Sequence, residues 1–510
     1  MLKCSEPPQE EHDHGSADPR RAPAMDPPRV LRTISNKSTR AMMVQQAKKK
    51  VAVIGGGITG ASVASHLVRL ATDADIQVDV FDQGRSGVGG RMSHRRTTTK
   101  GRNTMRWDHG CQFFRADTDR FRSMVDRWVE QGVAAAWTPA SPASFVGEDG
   151  APDFFGLPHS PPFFVGVDGM DTVVKRLLEQ PTPIEVKGKK DRSGITVFEQ
   201  HRVASMKQQG DDNTWTLWGT SGAPAFHDTP EKQVATQPTL FGQGYDFVVL
   251  TDVSSSFSSW HRASAGVPES FAQRVRAAVG ERVPLFTCLL AFATPLPVPT
   301  SAATLMDETV WFAARSNHKP DLLQDTDDLD CWTIVSTPQF ALRMIEATPM
   351  QDPNTGAFIP QSQDYLSTVP GPQLQAAFLR LVQQGRLGKI TTKDPLPPPV
   401  YMTAQRWGSA LPGRRCDNIT PNETLLLSGV SYATTTPTPL APTQRVVDDR
   451  PHSFIADTSL RLIQAGDMVS TYTPGVEGAV LSGLDAAEYV VKQVLEESNT
   501  TDGAKSKEDI

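Results

Sequence analysis

The sequence predicts an α/β fold, because three features follow one another in the order that a β–α–β unit requires. An apolar strand, Val51 to Ile54, runs into Gly55-Gly56-Gly57-Ile58-Thr59-Gly60, which has Gly-x-Gly-x-x-Gly spacing. A helix-compatible run from Ala61 to Leu70 follows, and a second apolar strand ends at Asp82. An acid about 20 residues beyond the glycines is placed to bind ribose hydroxyl groups. Together these features predict a dinucleotide-binding unit.

Each residue of the glycine loop has a separate physical task in this prediction. Gly55 allows the tight turn out of the strand, Gly57 lets a pyrophosphate approach the backbone, and Gly60 lets the helix pack closely on the sheet. Ile58 and Thr59 lie at the helix N-terminus, where N–H groups and the positive end of the helix dipole face the phosphates. The alternative interpretation is a glycine-rich turn in an unrelated α/β protein, with the downstream acid serving only as a turn or helix cap.

Length and composition narrow the class of protein. A chain of 510 residues is expected to form two or three domains. A net charge of −6 argues against a nucleic-acid-binding surface, and no apolar stretch is long enough to span a bilayer. The five cysteines are scattered without a Cys-x-x-Cys pair, so we expect neither a metal site nor a disulfide framework. We therefore expect a cytoplasmic protein, with an organelle (plastid or mitochondrion) as the alternative.

The two ends of the chain are polar. Residues 1–49 are rich in Pro, Arg, Lys and acids and are predicted to be a disordered leader. An organelle transit peptide is the alternative, since the stretch from Pro27 to Lys50 has basic residues and no acid, although the acids before it are atypical of one. Residues 496–510 are predicted to be a disordered tail.

A second group of motifs lies outside the first unit. In Gly89-Gly90-Arg91-Met92 the glycines let the chain fold back over the first loop, and the arginine can reach a pyrophosphate. Asp108-His109-Gly110-Cys111-Gln112-Phe113-Phe114 comes next. Far along the chain, Gly466-Asp467 and Pro474-Gly475-Val476-Glu477-Gly478-Ala479 give an acid at a strand end and glycines that open a helix. A flavin needs such a distant site, because its ribityl chain and ring extend beyond the phosphates, so these motifs predict FAD.

Together, in this order, the motifs resemble the FAD-dependent amine-oxidase superfamily, and most closely its renalase-like branch of NAD(P)/FAD-dependent oxidoreductases. The resemblance covers Lys50 to Leu495 and includes Phe164 to Met170 and the Arg406-Trp407 pair. It implies a Rossmann-like FAD-binding domain of the GR2 type, with three layers, and a discontinuous α+β substrate domain. The FAD-binding domain would comprise residues 50–140, 196–265 and 455–495, and the substrate domain residues 141–195 and 266–454.

The resemblance also implies which residues contact FAD. The glycine loop and Arg91 would bind the phosphates, Asp82 the adenosine ribose, and the backbone of Val203 the adenine. Asp467 would bind the ribityl chain or a nearby phosphate, and the helix that begins near Val476 would approach the isoalloxazine ring. The full implied set is Gly55, Gly57, Ile58, Thr59, Gly60, Asp82, Gly90, Arg91, Met92, Gln112, Phe113, Val203, Gly466, Asp467, Val476, Glu477, Gly478 and Ala479.

Trp407 and His109 are candidates for the substrate face, and no catalytic residue is identified. Trp407 would line this face by resemblance, with a core position as the alternative. His109 is a candidate acid or base, although a structural hydrogen-bonding role is favoured. Cys111 is expected to be a small core residue. Lys319 is expected to lie in a solvated loop, with an approach to the flavin as the alternative. The family often has His-Arg-Trp-Arg-Tyr-Ala where this chain has Gln405-Arg406-Trp407-Gly408-Ser409-Ala410, which leaves the substrate open.

The function expected from these observations is that of an FAD-dependent oxidoreductase. A small amine or a dihydronicotinamide-type donor such as NAD(P)H would give a hydride to flavin N5, with oxygen as a candidate acceptor. Neither a metal nor a side-chain nucleophile is required. Two alternatives stay open: a non-catalytic binding protein on the same fold, and an NAD(P)-dependent dehydrogenase that uses only the first site.

Overall fold

The predicted β–α–β unit is present in the computed structural model, inside a largely parallel sheet. Strand β1, Lys49–Ile54, leads through the glycine loop into helix α1, Ile58–Leu70, which is followed by strand β2, Ile76–Phe81. β1 pairs in parallel with β2 on one side and with Phe247–Leu250 on the other. The central residues of β1 are fully buried, as expected for a strand covered on both faces.

The structure describes most of the chain from residue 48 onward. The predicted leader therefore lies outside the described residues, apart from its last two positions. The described residues are 48–71, 76–98, 104–138, 145–146, 163–179, 194–210, 213–222, 238–256, 266–279, 282–305, 307–322, 329–349, 359, 362–390, 395–411, 452–472 and 474–508.

Further strands and α-helices follow along the chain. The further strands are β3 His94–Thr98, β4 Thr104–Asp108, β5 Ala134–Trp137, β6 Phe145–Val146, β7 Phe163–Gly166, β8 Ile195–Phe198, β9 His201–Gln209, β10 Thr214–Ser221, β11 Thr239–Tyr245, β12 Phe247–Leu250, β13 Val283–Phe292, β14 Ala302–Thr304, β15 Val310–Arg315, β16 Asp330–Ser336, β17 Pro399–Leu411, β18 Ile455–Asp457 and β19 Leu462–Gln464. The further helices are α2 Asp119–Glu130, α3 Asp171–Glu179, α4 Glu269–Val279, α5 Pro338–Ala347, α6 Gln363–Thr368, α7 Pro370–Gln383 and α8 Val476–Glu508.

The nucleotide-binding sheet is the middle of three layers. Its six strands have the order β18-β19-β12-β1-β2-β8, and only β18 runs antiparallel to its neighbour. Helices α1 and α8 pack together on one face, where Val51 and Val53 join their apolar core. Ala52 and Val248 face the opposite core, which contains residues of α4 and of the antiparallel sheet β9-β10-β11. This arrangement confirms the predicted three-layer α/β fold.

A second six-stranded sheet has the order β17-β13-β16-β15-β14-β6 and is antiparallel except where β14 meets β6. Helices α5, α6 and α7 cover one of its faces, where Phe286, Trp332 and Phe378 form an apolar core. Such a helix-covered antiparallel sheet is the architecture that the sequence predicts for the second part of the fold. Two further antiparallel pairs, β3-β4 and β5-β7, lie between β2 and β8 in the sequence.

Contacts do not separate the two predicted domains, since Ala47–Ile510 form one compact unit. Helix α3 falls in the predicted substrate domain but packs against α1. Helix α4 falls there as well, yet Phe271 and Val275 belong to the core beneath the nucleotide-binding sheet. The domain boundaries therefore stay a prediction, with these two helices located on the nucleotide-binding side.

The final helix is longer than predicted. It extends to Glu508, so the backbone of residues 496–508 is helical where the sequence predicts a disordered tail. Acidic and basic residues that are polar enough to suggest disorder are also compatible with an extended helix. Among the described residues, no helix combines the length and the apolar character needed to cross a membrane.

Glu477 joins the first turn of α8 to the start of α2. Its carboxylate oxygens accept hydrogen bonds from the backbone N–H groups of Asp117, at 2.8 Å, and Thr118, at 2.9 Å. Thr118 is itself the N-cap of α2, with its side chain accepting from the Phe121 N–H. The Glu477 side chain therefore points to a neighbouring helix, and the predicted approach of this helix start to the flavin stays a prediction.

We expect Glu477→Ala to lower the free energy of unfolding by about 1–3 kcal/mol, because two backbone N–H groups would lose a buried acceptor. Urea denaturation followed by circular dichroism measures this change. Glu346→Ala, on the exposed side of α5, is the matched control and should change stability by less than about 0.5 kcal/mol. Equal unfolding midpoints for the two variants would contradict the assignment of Glu477 as a helix cap.

Candidate functional site

A cavity of about 1290 Å³ brings together segments from both ends of the described chain. Its volume exceeds the range of about 300–1,000 Å³ that is common for pockets that bind one small ligand. Most of the residues predicted to bind FAD, and both substrate-face candidates, line it. They are Gly55, Gly57, Ile58, Thr59, Asp82, Gly90, Arg91, Met92, His109, Gln112, Phe113, Val203, Trp407, Asp467, Val476 and Ala479.

Four residues of the predicted set do not line the cavity. A Cβ on Gly60 would overlap the carbonyl oxygen of Gly55, so Gly60 permits helix packing instead. The Gly466 N–H donates to Ser482 Oγ at 2.9 Å, and its φ of +125° favours glycine. Glu477 caps α2, and Gly478 lies within α8 behind Val476. These residues shape the cavity through backbone packing rather than by contact.

The phosphate loop leaves the start of α1 open. Gly57 is the N-cap residue, and no side chain caps this helix. Gly57 also forms an isolated β-bridge with Gly89, and the Gly89 N–H donates to Gly56 O at 2.9 Å, so the second glycine motif folds back over the first as predicted. The N–H groups of the first helical turn thus remain available for an anion.

Asp82 is fixed beside this loop by two backbone donors. Its Oδ2 accepts from the Gly56 N–H at 2.8 Å and its Oδ1 from the Gly84 N–H at 2.7 Å. Burial raises the pKa of the Asp82 carboxyl group, although the two amides oppose the shift. The carboxylate keeps further lone pairs toward the cavity, and its predicted ribose contact stays a prediction.

Arg91 and Asp467, predicted to meet separate parts of FAD, are bound to each other. Arg91 Nη1 donates to Asp467 Oδ2 at 2.8 Å, and Arg91 Nη2 donates to Asp467 Oδ1. Nη1 also donates to the carbonyl oxygen of Ala410 in β17 at 3.1 Å. The Asp467 side chain is 2% exposed and that of Arg91 37% exposed, so the guanidinium is the part of the pair that faces the cavity.

Gln112 and Phe113 form another part of the cavity wall. Gln112 Nε2 donates to the carbonyl oxygens of Asp108 and Gly110, at 2.7 and 3.0 Å. Phe113 packs edge-on against Phe163, with ring centroids 4.7 Å apart. This wall is therefore held rigidly from behind, which suits a planar ligand ring.

Lys319 lies beneath this wall, and its predicted place in a solvated loop is wrong. Its Nζ is 2.9 Å from Asp108 Oδ2 and 3.2 Å from Gln112 Oε1, and both charged side chains are 1% exposed. His94 Nδ1 lies 3.1 Å from Asp108 Oδ1. Burial alone would raise the pKa of Asp108, but Lys319 and His94 outweigh it and hold that pKa well below its usual range.

His109 and Trp407 meet at the far side of the cavity. Trp407 Nε1 donates to the His109 carbonyl oxygen at 3.1 Å and to Thr287 Oγ1 at 3.2 Å, and the two rings are 5.3 Å apart. His109 Nε2 is 2.7 Å from Ser93 Oγ, whereas its Nδ1 is buried without a hydrogen-bond partner among the described residues. Burial and the nearby charge of Arg95 lower the pKa of His109 to about 4, so its imidazole is neutral near pH 7.

Cys111 also lines the cavity, as a thiol. Its Sγ donates to the Phe113 carbonyl oxygen at 3.1 Å, and burial raises its pKa to about 11. A thiol that stays protonated is a poor nucleophile, in agreement with its predicted role as a small packing residue.

Comparisons with known proteins agree with the nucleotide-binding fold. A family model described as an NAD(P)-binding Rossmann-like domain matches residues 53–128, which confirms the predicted Rossmann-like unit. No curated protein matches the sequence. Similar solved structures include a protein from Exiguobacterium sp. 255-15 assigned as a protoporphyrinogen oxidase (11% identity, TM-score 0.46, covering 87% of this chain and 98% of that one).

Two further solved structures have comparable likeness. A variant of putrescine oxidase is 12% identical, with a TM-score of 0.47, covering 88% of this chain and 99% of that one. The p-nitrophenol 4-monooxygenase PnpA from Pseudomonas putida DLL-E4 is 15% identical, with a TM-score of 0.38, covering 88% and 81%. At such low identities and TM-scores, these proteins do not decide the function of this chain.

Gly57→Ala and Gly60→Ala should separate ligand access from folding. A Cβ at Gly57 meets no atom closer than 3.8 Å, so we expect unchanged thermal stability of the ligand-free protein but at least roughly tenfold weaker FAD binding. Gly60→Ala should instead lower the free energy of unfolding by about 1–3 kcal/mol, because its methyl group collides with backbone. Thermal denaturation and FAD titration measure the two effects, and equal loss of stability in both variants would refute the distinction.

The neutral state of His109 predicts a pH dependence of stability. The folded protein keeps His109 neutral down to about pH 4, whereas the unfolded chain binds a proton below about pH 6.5, so stability falls as the pH is lowered from about 6.5 to 4. His109→Gln should therefore lose less stability than the wild type between pH 7 and pH 5, measured by urea denaturation. His452→Gln, at an exposed position, should follow the wild-type curve. Parallel curves for all three proteins would show that His109 does not contribute.

Proposed function

We propose that the protein is an FAD-dependent oxidoreductase, a renalase-like member of the amine-oxidase type. One observation carries the proposal: a single cavity is lined both by the phosphate loop around Gly57 and by the remote segment from Asp467 to Ala479. The volume of this cavity, about 1290 Å³, has room for a ligand larger than a nucleotide diphosphate. FAD is such a ligand, with adenosine at one end and a flavin ring at the other.

The residues along the cavity suit the successive parts of FAD. Val203, in β9, is buried and lines the cavity, and its backbone would contact the adenine. The N–H groups at the uncapped start of α1 would bind the diphosphate. Arg91, held by Asp467, would add a guanidinium to the same anion. Val476 and Ala479, in the first turn of α8, would lie beside the ring and present N–H groups to its carbonyl edge.

Bound FAD would supply the redox chemistry, accepting a hydride at N5 from a small amine or a dihydronicotinamide-type donor, with oxygen as the proposed final acceptor. The side chains of this protein position and shield the reactants. Trp407 would cover the donor, and Gln112 and Phe113 would back the ring. His109, neutral near pH 7, would offer a hydrogen bond rather than a charge. Few and scattered cysteines support a reducing compartment, for which we propose the cytoplasm.

An NAD(P)-dependent dehydrogenase is the second candidate, because the matching family model is described as NAD(P)-binding. Such an enzyme would use the phosphate loop and Asp82 alone. It would not need the ion pair of Asp467 or the glycine that opens α8. Retention of that remote segment on the cavity wall therefore favours FAD.

Asp467→Ala distinguishes these two candidates. With FAD as the cofactor, we expect at least roughly tenfold weaker FAD binding, because Arg91 loses the carboxylate that orients it. Equilibrium titration of FAD and of NADPH, with Asp126→Ala on the exposed side of α2 as the control, measures the change. If NADPH binds to the wild type and FAD does not, the dehydrogenase replaces the present proposal.

Anaerobic mixing of the FAD-loaded protein with amines and reduced nicotinamides tests the reaction. A true donor should bleach the flavin absorbance, and admission of oxygen should restore it. A bound flavin that no donor bleaches would leave a non-catalytic binding protein as the better description. If the protein stays colourless after incubation with FAD, it does not bind FAD and the proposed function is wrong.

A further inference from the structure

Arg95, in the hairpin β3-β4, is one of the residues that line the cavity. It pairs across the hairpin with Trp107, whose ring stacks 5.3 Å from that of Tyr401 in β17. The neighbouring His94 side chain faces the opposite way, into the buried cluster with Asp108, as alternation along a strand requires. Arg95 is half-buried, lines the cavity, and its charge acts on His109.

Arg95 differs from neighbouring cations in its partners. Arg96 is 2.6 Å from Asp168, Lys175 is 2.5 Å from Asp171, and Arg91 binds Asp467. The Arg95 side chain makes no hydrogen bond or ion pair with the residues that the structure describes. A half-buried guanidinium that lines a cavity and has no hydrogen-bonded partner can bind an anion through several N–H groups.

His109 adds a second, independent group beside Arg95. Its Nδ1 is buried, lacks a hydrogen-bond partner among the described residues, and belongs to a side chain that lines the cavity. Ser93 holds the other ring nitrogen at 2.7 Å, so the ring orientation is fixed. A buried polar atom of this kind is stabilised when a ligand supplies the missing hydrogen bond.

The charges of the cavity wall point the same way. Eight lysine and arginine residues line it against four aspartates. The aspartates are engaged elsewhere: Asp82 with backbone amides, Asp171 with Lys175, Asp252 with Ser254 and Asp467 with Arg91. Among the residues that the structure describes, the cavity wall therefore offers a cationic amine no carboxylate that lacks a hydrogen-bond partner. The cations are Arg85, Arg91, Arg95, Arg96, Lys175, Arg202, Arg282 and Arg406.

We propose that the hydride donor carries an anionic group, a carboxylate or a phosphate, which Arg95 binds while His109 Nδ1 hydrogen-bonds to the same end of the molecule. This proposal rests on the proposed function in one respect, because it identifies the bound molecule as the hydride donor. Arg95 is a binding residue for that anion, and Trp407 covers the apolar part of the molecule. The inference selects an anionic donor over a simple amine.

Binding of small aromatic probes to the FAD-loaded protein tests this. Benzoate, phenyl phosphate and benzylamine are titrated by isothermal calorimetry and by perturbation of the flavin absorbance. We expect one or both anions to bind saturably and more tightly than benzylamine. The anion that binds more tightly shows whether the site prefers a carboxylate or a phosphate. Arg95→Gln should weaken anion binding at least roughly tenfold, and Arg95→Lys should retain part of the affinity. Arg343→Gln, on the exposed side of α5, is the control for loss of one positive charge and should bind like the wild type.

Several results would overturn the inference. These are tighter binding of benzylamine than of either anion, no binding of either anion, and anion affinity within twofold of the wild type in Arg95→Gln. Before any probe is added, a flavin absorbance spectrum equal to that of the wild type shows that a variant is folded and contains FAD. If Arg95→Gln does not fold, the anion affinity of Arg95→Lys is compared with that of the wild type instead. Should the wild type take up no FAD, the proposed function fails by itself, and calorimetry on that protein still decides whether Arg95 binds anions.

Discussion

The ion pair between Arg91 and Asp467 is the constraint on which the site depends. It joins residues 376 positions apart in the sequence, one following the phosphate loop and the other preceding the last helix. Asp467 is almost fully buried, and a buried carboxylate is tolerated only when a cation and hydrogen bonds compensate for its lost hydration. Through the bond from Arg91 to Ala410, the same guanidinium also fixes β17, the strand that carries Trp407. One side chain thus links the turn at Arg91, the segment before the last helix and the strand that carries Trp407.

A second buried charge organises the opposite wall. Asp108 receives the Lys319 ammonium, a ring nitrogen of His94 and the Met170 N–H, while its carbonyl oxygen accepts from Thr333 in the second sheet. These partners come from the hairpin, the α3 segment and the second sheet. The network therefore fixes the angle at which Gln112 and Phe113 meet the cavity. Buried polar networks of this kind help to specify one arrangement of the chain, although His94 Nε2 has no hydrogen-bond partner among the described residues.

The nucleotide-binding half of the fold could be predicted from the sequence because its signals are local. Strand, glycine loop, helix and acid follow within a few tens of residues, and each has a backbone reason to be where it is. The position of Lys319 could not be predicted, because a lysine in a polar segment is buried only when a partner from far along the chain neutralises it. The partners of the Glu477 side chain could not be predicted either. They are backbone N–H groups at the start of α2, about 360 positions earlier, and sequence spacing does not reveal such a contact. Arg91 and Asp467 were each placed at the site, but their mutual bond depends on tertiary structure.

The order of strands in the nucleotide-binding sheet has a consequence for how this protein acquires its ligand. β1 is completed only when β12, almost two hundred residues later, pairs beside it, and β12 in turn needs β19 near the end of the chain. Such non-local pairing slows folding, because long loops must close, at a cost in chain entropy, before the stabilising contacts between the strands can form. A ligand that spans the phosphate loop and α8 can bind only after this closure, so its affinity is linked directly to global stability. The cofactor would then act as the last structural element of the fold, and its supply would set how much of the chain is in the native state.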